Sequence, residues 1–294
     1  MTATRKRTSV SKANQNEKPL ITNQKLRHIY TKLVEARIFE EHLTKRQRRS
    51  RSAARLSSTR SQEACRVSAL IDLKAGDLVS DVTMNPVTEL ILGAEVRPLL
   101  QRASKSTRKN QPSAVQQDNI AQQLPPVRNA TERLQIAMGA ALALKTANPG
   151  HIVLALINHR ELQGSAWKKL LTLARTLELP IIFVVLPDSS NKKRASAALV
   201  CNKAGLTGVP GIPVDSADAI AMFRIIQESL GRTRGGDGPV LIECLKYRLS
   251  GHSAEKNDPI VQMRRFLLER KVSDQVTLDA KGKTFLHELR QSKR

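Results

Sequence analysis

The chain has 294 residues, of which 40% are hydrophobic, and its formal net charge is +23. A chain of this size and apolar content can bury one substantial core, so we expect one main domain in a soluble protein. No apolar run approaches the length of a membrane-spanning helix, so we expect no membrane partner. The three cysteines are widely separated, which argues against a disulfide framework or a zinc site and favours a reducing, cytoplasmic compartment.

The N-terminal part of the chain is strongly basic. Residues 1–18 are rich in Thr, Ser, Lys and Arg, and their low hydrophobicity predicts a basic disordered tail. Residues 1–60 hold 16 Lys and Arg against 4 acidic residues, and residues 45–60 hold seven basic residues and no acidic one. A solvated basic face, a contact with a polyanion such as nucleic acid and a contact with an acidic protein are the three interpretations of this charge. The run from 45 to 60 has no aromatic residue, which removes the stacking surface expected of a single-strand reader.

Residues 19–270 carry the patterns of the main folded domain. The helical spacing of apolar residues predicts helices over residues 22–43, 61–73 and 86–100. Residues 103–126 are different, because they are rich in Gln, Ser and Asn and contain no aromatic residue, so they are predicted to form a polar loop or a disordered insertion. Another helix begins at residues 129–131, and its small residues at 137–141 allow close packing against a neighbour.

The central segment, residues 150–191, has the pattern of a strand, a helix and a second strand. Apolar runs at 152–157 and 181–186 are short, rich in β-branched residues and bounded by Gly and Pro, which is typical of buried strands in a parallel sheet. The helical spacing at 165–178 completes a βαβ unit. Ligands of such units bind beyond the carboxyl ends of the strands, so residues 158–164 and 187–191 are the places to look for chemistry.

The rest of the domain repeats this alternation of helix and strand. A helix is predicted over 216–230, a strand over 240–245 and a helix over 260–270, and residues 271–294 are predicted to be a basic C-terminal tail. The pattern as a whole predicts an α/β fold with three layers, helix, sheet and helix, around a mostly parallel sheet.

Short motifs spread along the chain occur in the order found in one protein family. They are RIFEE at 37–41, SQEA at 61–64, GDLV at 76–79, MGAALALK at 138–145, LPIIFVV at 179–185, GPVLIE at 238–243, YR at 247–248, GHS at 251–253 and DPI at 258–260. Together they resemble the alpha subunit of the thiamine-diphosphate-dependent 2-oxoacid dehydrogenases, the decarboxylating component of the pyruvate, branched-chain and acetoin complexes. Each motif is weak alone, and their colinearity carries the resemblance.

The resemblance implies a thiamine-diphosphate-binding fold, a cofactor and a partner. In this family the alpha subunit holds the diphosphate and its magnesium, and a beta subunit supplies the glutamate that activates the cofactor. The implied partner is therefore a beta subunit in a heterotetramer, with a homodimer as the alternative.

The cofactor motifs of the family are altered in this sequence. Where the family has a Gly-Asp-Gly turn after one strand, the aspartate is replaced by Asn158 or His159, depending on the register. Where it has two asparagines after the next strand, this chain has Pro187 and Asp188. A Tyr-Arg-x-His segment, whose arginine and histidine reach the diphosphate, is replaced by residues 83–86, Thr-Met-Asn-Pro.

The candidate site residues follow from the same resemblance. His252 matches a family histidine beside the cofactor and is the candidate catalytic residue, with a structural or exposed histidine as the alternative. The candidate cofactor-binding residues are Asn158, His159, Asp188 and Arg248. Asp188 could ligate magnesium, but a single carboxylate makes a poor magnesium site, so the metal ligands stay undefined. Arg248 fits a pair with a local carboxylate as well as it fits a ligand contact.

These observations lead to three functional hypotheses. The first is an alpha-subunit-like protein of this family with weak or lost cofactor binding, that is, a degenerate or accessory subunit. The alternative is an active 2-oxoacid dehydrogenase alpha subunit that catalyses oxidative decarboxylation with a beta partner. The second alternative is a protein that binds a polyanion or nucleic acid through its basic N-terminal third.

The polar composition of residues 103–126 generates a first prediction. Limited trypsin digestion of the native protein should cut first at Lys105, Arg108 and Lys109, because segments of low hydrophobicity cannot offset a backbone ordering cost of about 1 to 2 kcal/mol per residue. Mass spectrometry of the early fragments measures the cut sites. Resistance at all three positions would mean that the insertion is packed.

Overall fold

The structure is a computed structural model that describes residues 21–49, 59, 61–81, 85–104, 121–125, 127, 129–162, 165–187, 199–246 and 258–292. The helices among these residues are α1 (Asn23–Arg49), α2 (Glu63–Leu70), α3 (Pro86–Leu92), α4 (Val96–Ser104), α5 (Ala130–Ala147), α6 (Ala166–Thr176), α7 (Leu199–Gly205), α8 (Ala219–Arg234), α9 (Pro259–Glu269) and α10 (Gln275–Gln291). The strands are β1 (Leu78–Ser80), β2 (Gln122–Gln123), β3 (Val153–Asn158), β4 (Ile181–Leu186), β5 (Gly211–Asp215) and β6 (Val240–Leu245).

These strands form one parallel sheet in the order β2-β1-β3-β4-β6-β5. β3 and β4 pair along their whole length, from Val153 opposite Ile181 to Asn158 opposite Leu186. The predicted strands at 152–157, 181–186 and 240–245 are therefore confirmed, and each is almost fully buried.

Successive residues of the central strands enter two different cores. Leu154 and Val184 point to one face, where α1, α2, α3, α4, α8, α9 and α10 contribute to the same apolar cluster. Ala155 and Phe183 point to the other face, which α5, α6 and α7 cover. Because side chains alternate across a strand, central strands that are apolar on both faces need cover on both sides. The predicted three-layer α/β fold is confirmed.

Asp77 fixes the amino-terminal edge of the sheet. Its fully buried carboxylate accepts hydrogen bonds from the backbone N–H of Lys74 at 2.7 Å and of Ile152 at 3.0 Å, and it pairs with the guanidinium of Arg234 at the end of α8. Gly76 precedes it with φ of +91°, and a Cβ atom there would lie 2.7 Å from the imidazole of His151. One carboxylate thus ties the starts of β1 and β3 to a covering helix.

Two segments differ from the pattern that the sequence predicts between residues 86 and 126. The single helix expected over 86–100 is two helices, α3 and α4, because Gly93 at φ of +107° ends the first in a left-handed conformation. Within the predicted polar insertion, Gln122 and Gln123 form strand β2, which pairs with β1, and Ala121 is buried. Residues 105–120 lie outside the described residues, as do residues 1–18.

The C-terminal segment also differs from the expected tail. α10 packs against α1 and buries Leu278, Phe285 and Leu289. These residues lie seven and four positions apart, which places them on one helical face. Because these apolar residues are widely spaced within a basic segment, the sequence pattern did not predict this helix. No helix in the described part of the chain is long and apolar enough to cross a membrane.

Burial of α10 generates a second prediction. Phe285→Ala should lower the free energy of unfolding by about 3 kcal/mol or more, because it removes a large, 4% exposed side chain from the core. Leu286→Ala is the matched control, since Leu286 is 40% exposed and its truncation should cost less than about 1 kcal/mol. Urea denaturation of the full chain measures both values. Equal effects of the two changes would show that α10 is not part of the core.

Candidate functional site

The candidate site lies where the carboxyl ends of β1, β3, β4 and β6 meet at one edge of the sheet. Three of the predicted site residues, Asp188, Arg248 and His252, lie outside the described residues. Asn158 and His159 lie within them, at the end of β3 and the start of a 3-10 turn at His159–Glu161. The structure therefore places two of the five predicted residues at this edge.

Asn158 is linked to a carboxylate that the sequence did not single out. Its backbone N–H donates to Oε2 of Glu161 at 2.8 Å. The same oxygen accepts from Nη2 of Arg133 at 2.6 Å, and Nη1 of Arg133 donates to the backbone carbonyl of Leu156 at 3.0 Å. Arg133 comes from α5 and is 1% exposed, so this ion pair is almost wholly inside the protein. The carboxylate of Glu161 thus accepts hydrogen bonds from the donor groups of Arg133 and Asn158 at the end of β3.

His159 faces a second internal carboxylate. Its Nε2 lies 3.8 Å from Oε1 of Glu243, a buried residue of β6, while about half of the imidazole is exposed. The other oxygen of Glu243 accepts from the backbone N–H of Val200 at 3.1 Å and of Cys201 at 2.8 Å at the start of α7. Burial, reinforced by the charge of Glu243, raises the pKa of the Cys201 thiol to about 12. Glu243 thus holds α7 against the sheet, and the raised pKa disfavours the thiolate form of Cys201 that a nucleophile requires.

A third carboxylate stands at the end of β1. Nη1 of Arg66 pairs with Oδ2 of Asp81 at 2.6 Å, and the hydroxyl of Thr88 donates to the same oxygen at 2.9 Å. Nε of Arg66 donates to Oε1 of Gln62 at 3.3 Å, and Gln62 donates in turn to the carbonyl of Pro187 at 3.2 Å. These side chains are all buried, so a continuous polar network runs from α3 through α2 to the end of β4.

A helix starts within residues 83–86, the segment that the resemblance aligns with the family's diphosphate-binding motif. The side chain of Asn85 accepts from the N–H of Val87 at 2.9 Å, which caps α3, and Pro86 is the first residue of α3. Thr83 and Met84 lie outside the described residues. Asn85 and Pro86 therefore have a structural role at this edge.

A further charged group joins α1 and α2 to the start of α9. Arg37 pairs with Glu63 and, at 2.8 Å, with Oδ2 of Asp258. Burial raises the pKa of Glu63 despite the nearby guanidinium. Although burial opposes ionisation of Asp258 as well, the hydrogen bond and charge of Arg37 hold the pKa of that carboxyl below its usual range. Asp258 also caps α9 through the N–H of Ile260 at 2.8 Å, so this group anchors the helix that follows the segment of His252.

The sequence carried a signal for one of these pairs. Arg66 interrupts the apolar face of the predicted helix at 61–73, and a charge on a buried face needs a partner. Its partner Asp81 lies 15 residues away and on a different element, so spacing alone could not identify it. Among the described residues, no group of three or more His, Cys, Asp or Glu side chains could hold a metal ion.

Comparison with known proteins agrees with this architecture. The model of the family described as the dehydrogenase E1 component matches residues 31–283. This chain belongs to that family. It is similar to the pyruvate dehydrogenase E1 component subunit alpha-3, chloroplastic, of Arabidopsis thaliana, with 28% identity over 173 residues, 50% of this chain and 40% of the relative. It is also similar to the pyruvate dehydrogenase E1 component subunit alpha of Staphylococcus aureus (strain Mu50 / ATCC 700699), with 28% identity over 153 residues, 45% of this chain and 41% of the relative.

These findings confirm the resemblance to alpha-type proteins of the thiamine-diphosphate-dependent 2-oxoacid dehydrogenases. The matches span about two fifths of the length of each of these E1 relatives. Family membership fixes the fold and leaves the chemistry to the site.

The buried pair of Arg66 and Asp81 generates a third prediction. Asp81→Asn should lower the free energy of unfolding by about 3 to 5 kcal/mol, because it leaves the guanidinium of Arg66 buried without a counter-charge. Asp279→Asn is the charge-matched control, since Asp279 pairs with Arg264 at the surface, and it should leave the midpoint of urea denaturation unchanged within error. Equal midpoints for the two variants would contradict the network described at this edge.

Proposed function

We propose that this protein is an accessory alpha-type chain of the dehydrogenase E1 component family, which keeps the subunit fold and binds thiamine diphosphate weakly or not at all. The proposal rests on one observation, the ion pairing of the buried arginines at the carboxyl-terminal edge of the sheet. Arg66 is paired with Asp81, and Arg133 is paired with Glu161. In the described part of this edge, both of these buried guanidinium groups are thus already neutralised by a carboxylate of the same chain.

These pairs do not fit the diphosphate group of thiamine diphosphate. A diphosphate placed against Arg66 or Arg133 would also face Asp81 or Glu161, and like charges at such distances repel strongly in a buried site. Separating either pair to free the arginine would leave a buried carboxylate without its counter-charge, which costs several kcal/mol. The described donor groups at this edge thus favour internal pairing over an anionic ligand.

The replacements in the metal motif support the same proposal. Magnesium requires hard oxygen ligands in near-octahedral geometry, usually with at least one carboxylate from the protein. Neither Asn158 nor His159 offers a carboxylate, and the one beside Asn158, that of Glu161, is engaged by Arg133 and by the N–H of Asn158. The carboxylate near His159, that of Glu243, accepts from two backbone N–H groups of α7. Asp188 is the remaining candidate ligand from the motif, and a single carboxylate is a weak basis for a magnesium site.

The main alternative is a working alpha subunit that catalyses oxidative decarboxylation together with a beta-type partner. The match of the family model over residues 31–283 favours it, and so do Arg248 and His252, which keep the residue types of the family. This alternative requires the cofactor to be held by Asp188, Arg248 and His252 in a manner that differs from the family motif. It predicts decarboxylation of a 2-oxoacid once a beta-type chain is added.

The polyanion hypothesis receives no specific support from the described residues. At the start of the basic N-terminal third, Lys25 pairs with Asp72 at 2.5 Å and Lys32 pairs with Glu35 at 2.9 Å. Most of the basic run at residues 45–60 lies outside the described residues. We therefore favour both subunit hypotheses over the polyanion hypothesis.

Cofactor binding decides between the two subunit hypotheses and gives a fourth prediction. Isothermal titration calorimetry of the full chain with thiamine diphosphate and magnesium should show a dissociation constant weaker than about 1 mM, that is, binding no stronger than about −4 kcal/mol. Asn158→Asp should not restore binding, because it adds a carboxylate beside Glu161 and leaves the ion pairs unchanged.

The control for this experiment is a catalytically active alpha and beta pair from a family relative, titrated in the same buffer. Micromolar binding that depends on magnesium in the unaltered chain would overturn the proposal and favour the active subunit. Decarboxylation of a 2-oxoacid by this chain with the beta chain of the relative would have the same consequence.

A further inference from the structure

Arg133 is an uncommon residue for a helix that covers a sheet. Its side chain is the largest fully buried one among the described residues, and it lies on α5 with Leu134 and Ala137, which belong to the apolar cluster of that face. A buried guanidinium carries a large desolvation cost that an apolar side chain in its place would avoid. What its donors contact therefore decides what this position can do.

The chain satisfies these donors only in part. Nη1 of Arg133 donates to the carbonyl of Leu156 at 3.0 Å, and Nη2 donates to Oε2 of Glu161 at 2.6 Å. Nε is buried and has no hydrogen-bond partner among the described residues. An arginine and an oxyanion frequently meet through two parallel hydrogen bonds, and here Glu161 accepts from Nη2 and not from Nε. The Nε–Nη2 side of the guanidinium is therefore half filled.

Arg66, the other buried arginine at this edge, has a complete set of partners. Its Nη1 contacts Asp81 and Thr88, and its Nη2 lies 3.5 Å from Oδ1 of Asp81. Its Nε donates to Gln62. Arg133 lacks such a set although it is the more deeply buried of the two, at 1% exposed against 4%. An unfilled buried donor costs free energy, and a ligand with more oxygen atoms than one carboxylate would fill it.

Glu161 lies where an external oxyanion would bind. One oxygen, Oε2, accepts both from Nη2 of Arg133 and from the backbone N–H of Asn158 at 2.8 Å. A guanidinium and a backbone N–H that converge on one oxygen are donors of the kind that bind anions by charge-assisted hydrogen bonds. Glu161 is also the more exposed partner, with 14% of its side chain exposed against 2% for Arg133. Loss of its charge would therefore leave a buried cation with unfilled donors beside the surface.

We propose that Glu161 is an internal ligand that closes an oxyanion site formed by Arg133 and the N–H of Asn158. The site fits a tetrahedral oxyanion of the size of inorganic phosphate, whose oxygens can accept from Nε, Nη2 and this N–H together. The negative charge of Glu161 excludes such an anion while the carboxylate is in place. This inference rests on the proposed function, because it gives the means by which the end of β3 is closed to external phosphate groups.

Thermal unfolding of the full-length Glu161→Gln variant tests the proposal. The variant keeps nearly the same side-chain size and should melt roughly 10 °C below the unaltered chain, because Arg133 loses its counter-charge. Inorganic phosphate at about 10 mM, compared with sodium chloride of equal ionic strength, should raise its melting temperature by about 3 °C more than it raises that of the unaltered chain. The difference removes the general response of a basic protein to phosphate.

Two control variants separate a specific site from a change in net charge. Asp72→Asn removes one negative charge from another partly buried ion pair, that with Lys25, and should respond to phosphate as the unaltered chain does. The double variant Arg133→Met, Glu161→Gln has no guanidinium at the site, so it should lose the additional response to phosphate and melt at a higher temperature than Glu161→Gln. A role of Glu161 in packing alone would not produce this dependence on phosphate.

The outcomes are distinct. A Glu161→Gln variant that responds to phosphate no more than Asp72→Asn would overturn the proposal, and so would an equal response of the double variant. Folding of Glu161→Gln only in the presence of phosphate would support it, whereas a variant unfolded in both buffers would show that phosphate cannot replace the carboxylate and would also overturn it. Tight cofactor binding by the unaltered chain would contradict the proposed function itself. A missing phosphate response alongside weak cofactor binding would contradict only this inference.

Discussion

The burial of the parallel sheet on both faces is the constraint on which the rest of the structure depends. Every residue of β4 is buried, and so is every residue of β3 except the last, Asn158. Because side chains alternate across a strand, such strands can carry no charge along their length without placing it in a core. Charged groups are therefore concentrated at the two edges of the sheet, where the strands end and the covering helices begin.

At both edges the solution is internal pairing between carboxylates and arginines. Asp77 and Arg234 close the amino-terminal edge, and Arg66 with Asp81 and Arg133 with Glu161 close the carboxyl-terminal edge. In a parallel α/β sheet the carboxyl-terminal edge is the one that receives ligands. Among the described residues, the buried arginines at that edge are paired with carboxylates in the same way as at the opposite edge. That similarity supports our proposal that the chain is an alpha-type subunit with weak or no cofactor binding.

The two faces of the sheet differ in how completely their covering helices are buried. The helices of the first face, α1 with α9 and α10, bury their apolar residues within one chain. On the second face, α5 and α6 each bury one side against the sheet, and Leu142 and Leu173 on their other sides are exposed to solvent. The apolar layer on this side of the three-layer fold is therefore less completely buried than the layer on the other side.

The sequence by itself determined the central strands at 152–157 and 181–186 and the helix at 165–178 between them, because β-branched runs and helical spacing are local patterns. The colinear motifs also located Asn158 and His159 at a strand end. Only the tertiary structure decided what those residues contact. Arg133 meets Glu161 across 28 residues and Arg66 meets Asp81 across 15, and β2 exists because Gln122 lies beside Leu78. Pairings between distant elements are set by how the helices pack on the sheet, and no local spacing encodes them. For the same reason, the burial of the sparse apolar residues of α10 depends on the packing of this helix against α1.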